Sequence, residues 1–210
     1  MSTAPTLRAF KALPPHKVIR DFLGPDLISQ LLALAQANQN AFTPARIGND
    51  SELNTKVRIS RLLRDFGSLR DTLAARFRAV MAQAIAELRL VPFELGRIEM
   101  ELAAHGDGAF YRRHIDTETN VTDKTMDRAL TGVLYFHAQP KNYDGGELRL
   151  YSILPPKQGG CFQDIAPEQD MLLLFPSWAP HEVRPISCPS GAFMDSRFAI
   201  NCWYRNLRKS

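Results

Sequence analysis

The sequence predicts an α+β fold in which a helical layer packs on an all-β sandwich or barrel. Three observations carry this. Two segments before Pro92 have apolar residues at helical spacing, the period switches to alternation after Pro92, and turn signals then cut the chain into short strands. Residues 1–210 read as a single domain, long enough to bury a sizeable core, with 1–91 as an N-terminal helical support region and 92–206 as the β core.

Residues 1–20 read as a loosely ordered lead-in containing Pro5, Pro14 and Pro15. DFLGPDLISQLLALAQANQ is a helix with Pro25 in its first turn and Leu27, Leu31, Leu34 and Ala35 on its apolar side. KVRISRLL is a strand candidate. A second helix follows in FGSLRDTLAARFRAVMAQAIAELRL, with Ser68 as N-cap and a stripe of Leu69, Leu73, Phe77, Val80, Ala84 and Leu88. In GRIEMELAA, Ile98, Met100 and Leu102 alternate with charged neighbours, which is strand periodicity. GAFYRRHI, ALTGVLYFHA, GELRLYSI, GGCFQDI, DMLLLFP, HEVRPI and SRFAINCWY continue the strands, separated by turns such as HGDG, NYDGG, PPKQGG and CPSG.

The charged share of 23% and hydrophobic share of 45% are those of an ordinary globular chain, and no apolar run approaches membrane-helix length. The first residues carry no apolar h-region, and the three cysteines form no CxxC pair, so the expectation is reduced thiols in a cytoplasmic protein without a secretory signal. The net charge of +4 is diffuse and interleaved with acids, which disfavours a nucleic-acid partner.

Chemistry concentrates in FYRRHIDTE. His114 and Asp116 share a strand face by alternation, with Phe110 and Arg112, so an imidazole and a carboxylate can converge on one metal. Chance alone supplies roughly 0.3 His-x-Asp triplets in such a chain, and a second one, His105-Gly-Asp107, sits in HGDG, whose glycines favour a tight turn. His105 therefore reads as a solvated turn residue. A third ligand would come from His181, which opens HEVRPI after an apolar strand, or from His137, with His181 better placed. Alternation in SRFAINCWY puts Arg197, Ala199, Asn201 and Trp203 on one face and Phe198, Ile200, Cys202 and Tyr204 on the other. A buried arginine there needs an anion, either a bound carboxylate or an acidic side chain of the protein.

Taken in order, YRRHID, RALTGVLYFH, DGGELRLY, PHEVRPI and SRFAINCWY resemble the iron(II)/2-oxoglutarate-dependent dioxygenases, in particular the prolyl-hydroxylase-like branch, over roughly residues 93–205. The resemblance implies a double-stranded β-helix (jelly roll) core over 92–206, buttressed by the N-terminal helices. It implies Fe(II), 2-oxoglutarate and O2 as cofactor and cosubstrates, with His114, Asp116 and His181 as metal ligands. Arg197 and Tyr135 would bind the far carboxylate of 2-oxoglutarate, and Tyr111 and Asn201 would line the same pocket. Tyr135 also reads as an ordinary interior aromatic, and Trp203 equally as core.

The activity implied is hydroxylation of an unactivated C–H bond in a peptidyl residue such as proline, a free amino acid or a small metabolite. The alternatives are a non-catalytic jelly-roll binding module and a zinc hydrolase, for which Glu118 and Glu182 are the available bases. Nucleic-acid demethylases of a neighbouring branch carry a second arginine six residues after the first, where this chain has Trp203. Two features depart from the branch. Ala104 stands ten residues before His114, where a cosubstrate-binding tyrosine is usual. The interval from His181 to Arg197 is 197 − 181 = 16 residues, longer than usual, and predicts a hairpin excursion at the barrel mouth around ISCPSGAFMD. Substrate identity and oligomeric state are not legible.

Overall fold

The computed structural model describes residues 10–46, 54–118 and 125–208. Its first described strand, β1 (Lys17–Ile19), lies inside the predicted lead-in and pairs with β11 (Met171–Pro176). That stretch is therefore an edge of the fold, a pairing across more than 150 residues that no local pattern announces. Helix α1 (Pro25–Ala37) follows, with Ile28, Leu31 and Ala35 buried. Its entry is held from outside: the buried Asp170 carboxylate accepts the Leu23 and Gly24 N–H groups at 2.9 and 2.7 Å. Helix α2 (Leu69–Glu87) buries Leu73, Phe77, Ala84 and Ile85. Ser68 stands at its N-cap position, but its hydroxyl makes no capping bond, so the predicted cap is positional only.

The remaining strands are β2 (Thr43–Pro44), β3 (Arg58–Ile59), β4 (Arg61–Leu63), β5 (Leu95–His105), β6 (Phe110–His114) and β7 (Met126–Phe136). After them come β8 (Asp144–Gly145), β9 (Leu148–Tyr151), β10 (Phe162–Ile165), β11, β12 (His181–Val183), β13 (Ile186–Ser187) and β14 (Arg197–Leu207). They form a seven-stranded sheet ordered β1-β11-β7-β14-β5-β4-β2, a five-stranded sheet ordered β10-β9-β12-β6-β3, and a β8–β13 ribbon. Every strand pair described is antiparallel.

The alternation of β14 decides what each face of the large sheet does. Phe198, Ile200, Cys202 and Tyr204 join Met100, Leu102, Leu134 and the buried stripes of both helices in one apolar layer. Tyr204 Oη donates to the Phe77 carbonyl at 2.8 Å, which locks the sheet to α2. Ala199, on the opposite face, packs with Tyr135, Leu173 and Phe175 against Leu148 and Leu150 of the smaller sheet. The two sheets thus share an interior, and the helices cover the outside of one of them. Fully burying each such Leu or Phe side chain contributes about 1.5–3 kcal/mol.

Two local breaks position the site. The predicted strand KVRISRLL is split at buried Ser60: β3 pairs with β6 and β4 with β5, so the chain passes from one sheet to the other there. Residues 184–196 are not a hairpin, although Gly191, Phe193 and Ser196 line a cavity shared with Arg58. Ile186 and Ser187 pair with β8, and a 3-10 turn at Phe193–Asp195 folds back, placing the Phe193 ring 5.1 Å from Phe42 and 5.4 Å from Phe198. The longer interval is taken up by apolar contact with the helical side.

Candidate metal centre

His114 ends β6, His181 begins β12, and the two residues face each other across that strand pair. Each ring has its Nδ1 at a backbone carbonyl, Arg112 at 2.8 Å for His114 and Ala179 at 2.9 Å for His181. A carbonyl only accepts, so Nδ1 carries a proton in both rings and Nε2 is the atom each ring turns toward a metal. These Nε2 atoms lie 3.7 Å from different oxygens of Asp116, Oδ1 for His114 and Oδ2 for His181. One ligand atom from each of the three residues falls within a 4.8 Å set, the only such group among the described residues. Two imidazole nitrogens and one carboxylate around a common point make the donor set of non-haem iron(II), so the residues fit that ion.

Electrostatics supports metal binding in the right protonation state. Burial, with the His181 ring beside it, pushes the His114 imidazole down to about 3, so it is a neutral donor. Burial alone would raise Asp116, but the facing His181 and His114 rings hold its carboxyl below the usual range. Asp116 is also fixed from behind: its N–H donates to the Ser177 carbonyl at 2.9 Å and its Oδ2 accepts from Thr131 Oγ1 at 2.8 Å.

Strict alternation fails within β6. A register irregularity opposite β12 leaves Arg112 and Arg113 both exposed, and Tyr111 faces inward together with His114. The expectation that Phe110, Arg112 and His114 share a face is therefore corrected. The Tyr111 ring stacks on His114 with centroids 3.5 Å apart, and the Arg58 guanidinium lies 4.8 Å above Tyr111. Arg58 Nε donates to Ser60 Oγ at 2.9 Å, and the side chain pairs with no carboxylate among the described residues. It stands on the wall between the metal pocket and a larger cavity of about 500 Å³ that reaches Ser60, Ala104 and Phe193.

Arg197 is 1% exposed and lines the metal pocket together with Asn201 and Trp203, as the β14 alternation predicted. It forms no ion pair with an acidic side chain among the described residues, which removes the structural salt bridge as its explanation there. Its guanidinium lies 4.7 Å over the Tyr135 ring. Arg197 Nε, Tyr135 Oη and Tyr143 Oη are buried without hydrogen-bond partners. Burial pushes both phenols up to about 12, so they stay protonated donors. A buried cation with orphaned donors around it costs free energy unless an anion completes it, so this end of the pocket fits a carboxylate such as that of 2-oxoglutarate.

The rival residues are elsewhere. His137 bonds the Ala138 carbonyl and packs edge-on against Tyr143. Asp107 accepts the Cys188 N–H at 2.8 Å. Both bases considered for a zinc hydrolase are paired, Glu118 with Arg205 at 2.7 Å and Glu182 with Arg184 at 2.8 Å. Two residues escaped the sequence reading. Tyr143 sits in the NYDGG turn with no periodicity to expose it. His105 is not a solvated turn residue: it is 3% exposed, lines the metal pocket, and has Nδ1 3.2 Å from Arg197 Nη1. Extending the β5 alternation by one residue, through Glu101, Ala103 and His105, would have placed it inside. Ala104 belongs to the helix-facing layer instead.

The sequence profile of the 2OG-Fe(II) oxygenase superfamily matches residues 100–205. The chain is 32% identical over 197 residues to an uncharacterized PKHD-type hydroxylase from Synechocystis, covering 89% of this chain and 62% of that protein. It thus spans less than two thirds of that relative's length. Among solved structures it is similar to a Pseudomonas putida prolyl-4-hydroxylase, with 26% identity, a TM-score of 0.66, and 92% and 94% of the two chains covered. It shares its fold with a Trichoplax adhaerens prolyl hydroxylase solved with a hypoxia inducible factor oxygen degradation domain peptide fragment. There the identity is 22%, the TM-score 0.67, and the coverage 92% and 84%. No helix among the described residues is long and apolar enough to cross a membrane.

Proposed function

The chain belongs to the 2OG-Fe(II) oxygenase superfamily, and from that premise we propose that it hydroxylates an unactivated C–H bond, coupled to decarboxylation of 2-oxoglutarate to succinate. The substrate class is a peptidyl residue, with proline first among those to test, since a prolyl-4-hydroxylase at 26% identity supports it. Free amino acids and small metabolites are the remaining classes. The two antiparallel sheets enclosing one apolar interior form the double-stranded β-helix of this reading.

The observation that carries the proposal is Arg197, a buried guanidinium without an acidic partner among the described residues, in the same pocket as the His114, Asp116 and His181 donors. Iron(II) with 2-oxoglutarate and O2 supplies the oxidising chemistry when bound, releasing carbon dioxide and delivering one oxygen atom to the substrate. The chain's residues do the rest. His114, Asp116 and His181 would hold the metal. Arg197 and Tyr135 bind and orient the far carboxylate of the cosubstrate, beside the apolar side chains of Leu148 and Val133. Asn201 and Tyr111 line the space beside the metal. Arg58, at the wall toward the larger cavity, holds an acceptor group of the substrate, a peptide carbonyl or a carboxylate.

Anaerobic reconstitution with iron(II) and 2-oxoglutarate tests the reading. The expected result is a weak visible metal-to-ligand charge-transfer band, followed by succinate when oxygen is admitted. Absence of both rejects it. Proline-containing peptides are then screened for a mass gain of one oxygen.

A further inference from the structure

We propose that His105 is a positioning residue for the cosubstrate: a neutral imidazole that steers Arg197 and adds a donor of its own to the carboxylate subsite. The proposal rests on the 2-oxoglutarate reading above. It starts from strand register. His105 and Arg197 are directly opposed on β5 and β14, and both side chains point into the space between the sheets. Their near atoms, Nδ1 and Nη1, are 3.2 Å apart in a buried contact.

The chemistry of the pair fixes the tautomer. A guanidinium has donors and no acceptor, so His105 Nδ1 must accept and cannot carry a proton. The imidazole is then neutral with its hydrogen on Nε2. Burial, with Arg197 and Arg58 as its cationic neighbours, drives its pKa well below the ordinary value and maintains that state. Nε2–H is the ring's remaining donor, on a side chain that lines the metal pocket. It is a donor available to an anion.

Arg197 is held on its other sides as well. Tyr135 lies under its plane at 4.7 Å. Gly146 approaches its stem so closely that an added Cβ would lie 2.6 Å from Cδ and 3.1 Å from Nε. One Nη is committed to His105, and the orphaned Nε and the Tyr135 hydroxyl are left for the ligand. A planar fork gains specificity when its orientation is set before the carboxylate arrives. His105 supplies that setting from the position next to Ala104, whose methyl group faces the helices and can supply nothing to the pocket.

The test uses full-length protein loaded with Mn(II) under anaerobic conditions and calorimetric binding of two ligands. One is 2-oxoglutarate; the other is 2-oxopentanoate, of equal carbon length and lacking the far carboxylate. His105→Phe removes the acceptor, and His105→Leu repeats the experiment with a smaller side chain should the phenyl ring not be accommodated. The expected result is a loss of about 10–100-fold in affinity for 2-oxoglutarate with 2-oxopentanoate changed less than about twofold. His105→Asn, whose Oδ1 takes the place of Nδ1, should recover most of the loss. Equal weakening of both ligands, or unchanged 2-oxoglutarate binding, overturns the proposal. A wild-type protein that binds 2-oxopentanoate as tightly as 2-oxoglutarate overturns the carboxylate reading of Arg197 itself, and this proposal with it.

Discussion

The Thr131 hydroxyl donates to Asp116 Oδ2 at 2.8 Å, and because its single hydrogen is used there, Ser177 Oγ, 2.9 Å away, must donate to Thr131. A chain of two hydroxyls thus fixes the carboxylate that faces both histidines, from strand β7 and the turn just after β11, neither of which carries a candidate ligand. Thr131→Val keeps the shape and removes the donor. Iron(II) or cobalt(II) affinity is expected to fall about 10–100-fold, as for other groups that orient a metal ligand, with Thr131→Ser near wild type. Metal titration of both variants checks this, and equal affinities would show that Asp116 does not depend on the hydroxyl.

Gly146 supports Arg197 by having no side chain. Its backbone is at φ 74°, and a Cβ would fall 2.6 Å from Arg197 Cδ and 2.7 Å from Ile186 Cγ1. Gly146→Ala combines left-handed strain with two overlaps and is expected to destabilise the fold by about 2–3 kcal/mol. Gly67 is a matched control, with φ 51° and nothing within 4 Å of its added Cβ, so Gly67→Ala should cost only about 1 kcal/mol. Urea unfolding of the two variants measures the difference, and 2-oxoglutarate affinity should fall only for Gly146→Ala.

What was legible in the sequence followed the range of the forces involved. The faces of β14 could be assigned by counting, because alternation is local and this strand is buried on both sides. The candidate metal donors could be ordered along the chain because His114 ends β6 and His181 begins β12, each next to a recognisable run, with Asp116 two residues beyond His114. Tyr111 was legible only through resemblance, since the irregularity that turns it inward arises from pairing with β12. His105 was hidden by its glycine neighbours, which signal a turn that begins one residue later. The placement of β1, and of Phe193 against Phe42, depends on contacts between segments far apart in sequence, which composition does not record.

Arg58 carries a guanidinium stacked over Tyr111 with no carboxylate partner among the described residues. On the proposed function, Arg58→Gln should raise the KM for the substrate by about 10–100-fold, the cost of one hydrogen bond to a charged group. The KM for 2-oxoglutarate should stay within about twofold, because Arg197 and Tyr135 are untouched. Arg58→Lys should rescue only in part, since an ammonium cannot reproduce both the stacking and the fork. Steady-state kinetics with each cosubstrate varied in turn separates these outcomes. A rise confined to 2-oxoglutarate would assign Arg58 to the cosubstrate instead.

The neutral state of His105 has a consequence for stability that needs no ligand. Its folded pKa lies well below the ordinary value of 6.5, through burial and the Arg197 and Arg58 charges. The unfolded chain therefore takes up a proton that the folded one refuses. Stability from this group is complete above about pH 6.5 and is lost as the pH falls from there toward the folded pKa, by up to about 1.4 kcal/mol per pH unit. Other groups titrate in the same window, so the measurement is a difference. Urea midpoints of metal-free wild type and His105→Asn are compared between pH 7 and pH 5. Wild type should lose stability more steeply, because Asn holds the same acceptor position without a titratable site. Parallel curves would mean that the ring is protonated in the folded state, which is incompatible with an Arg197 N–H donating to its Nδ1.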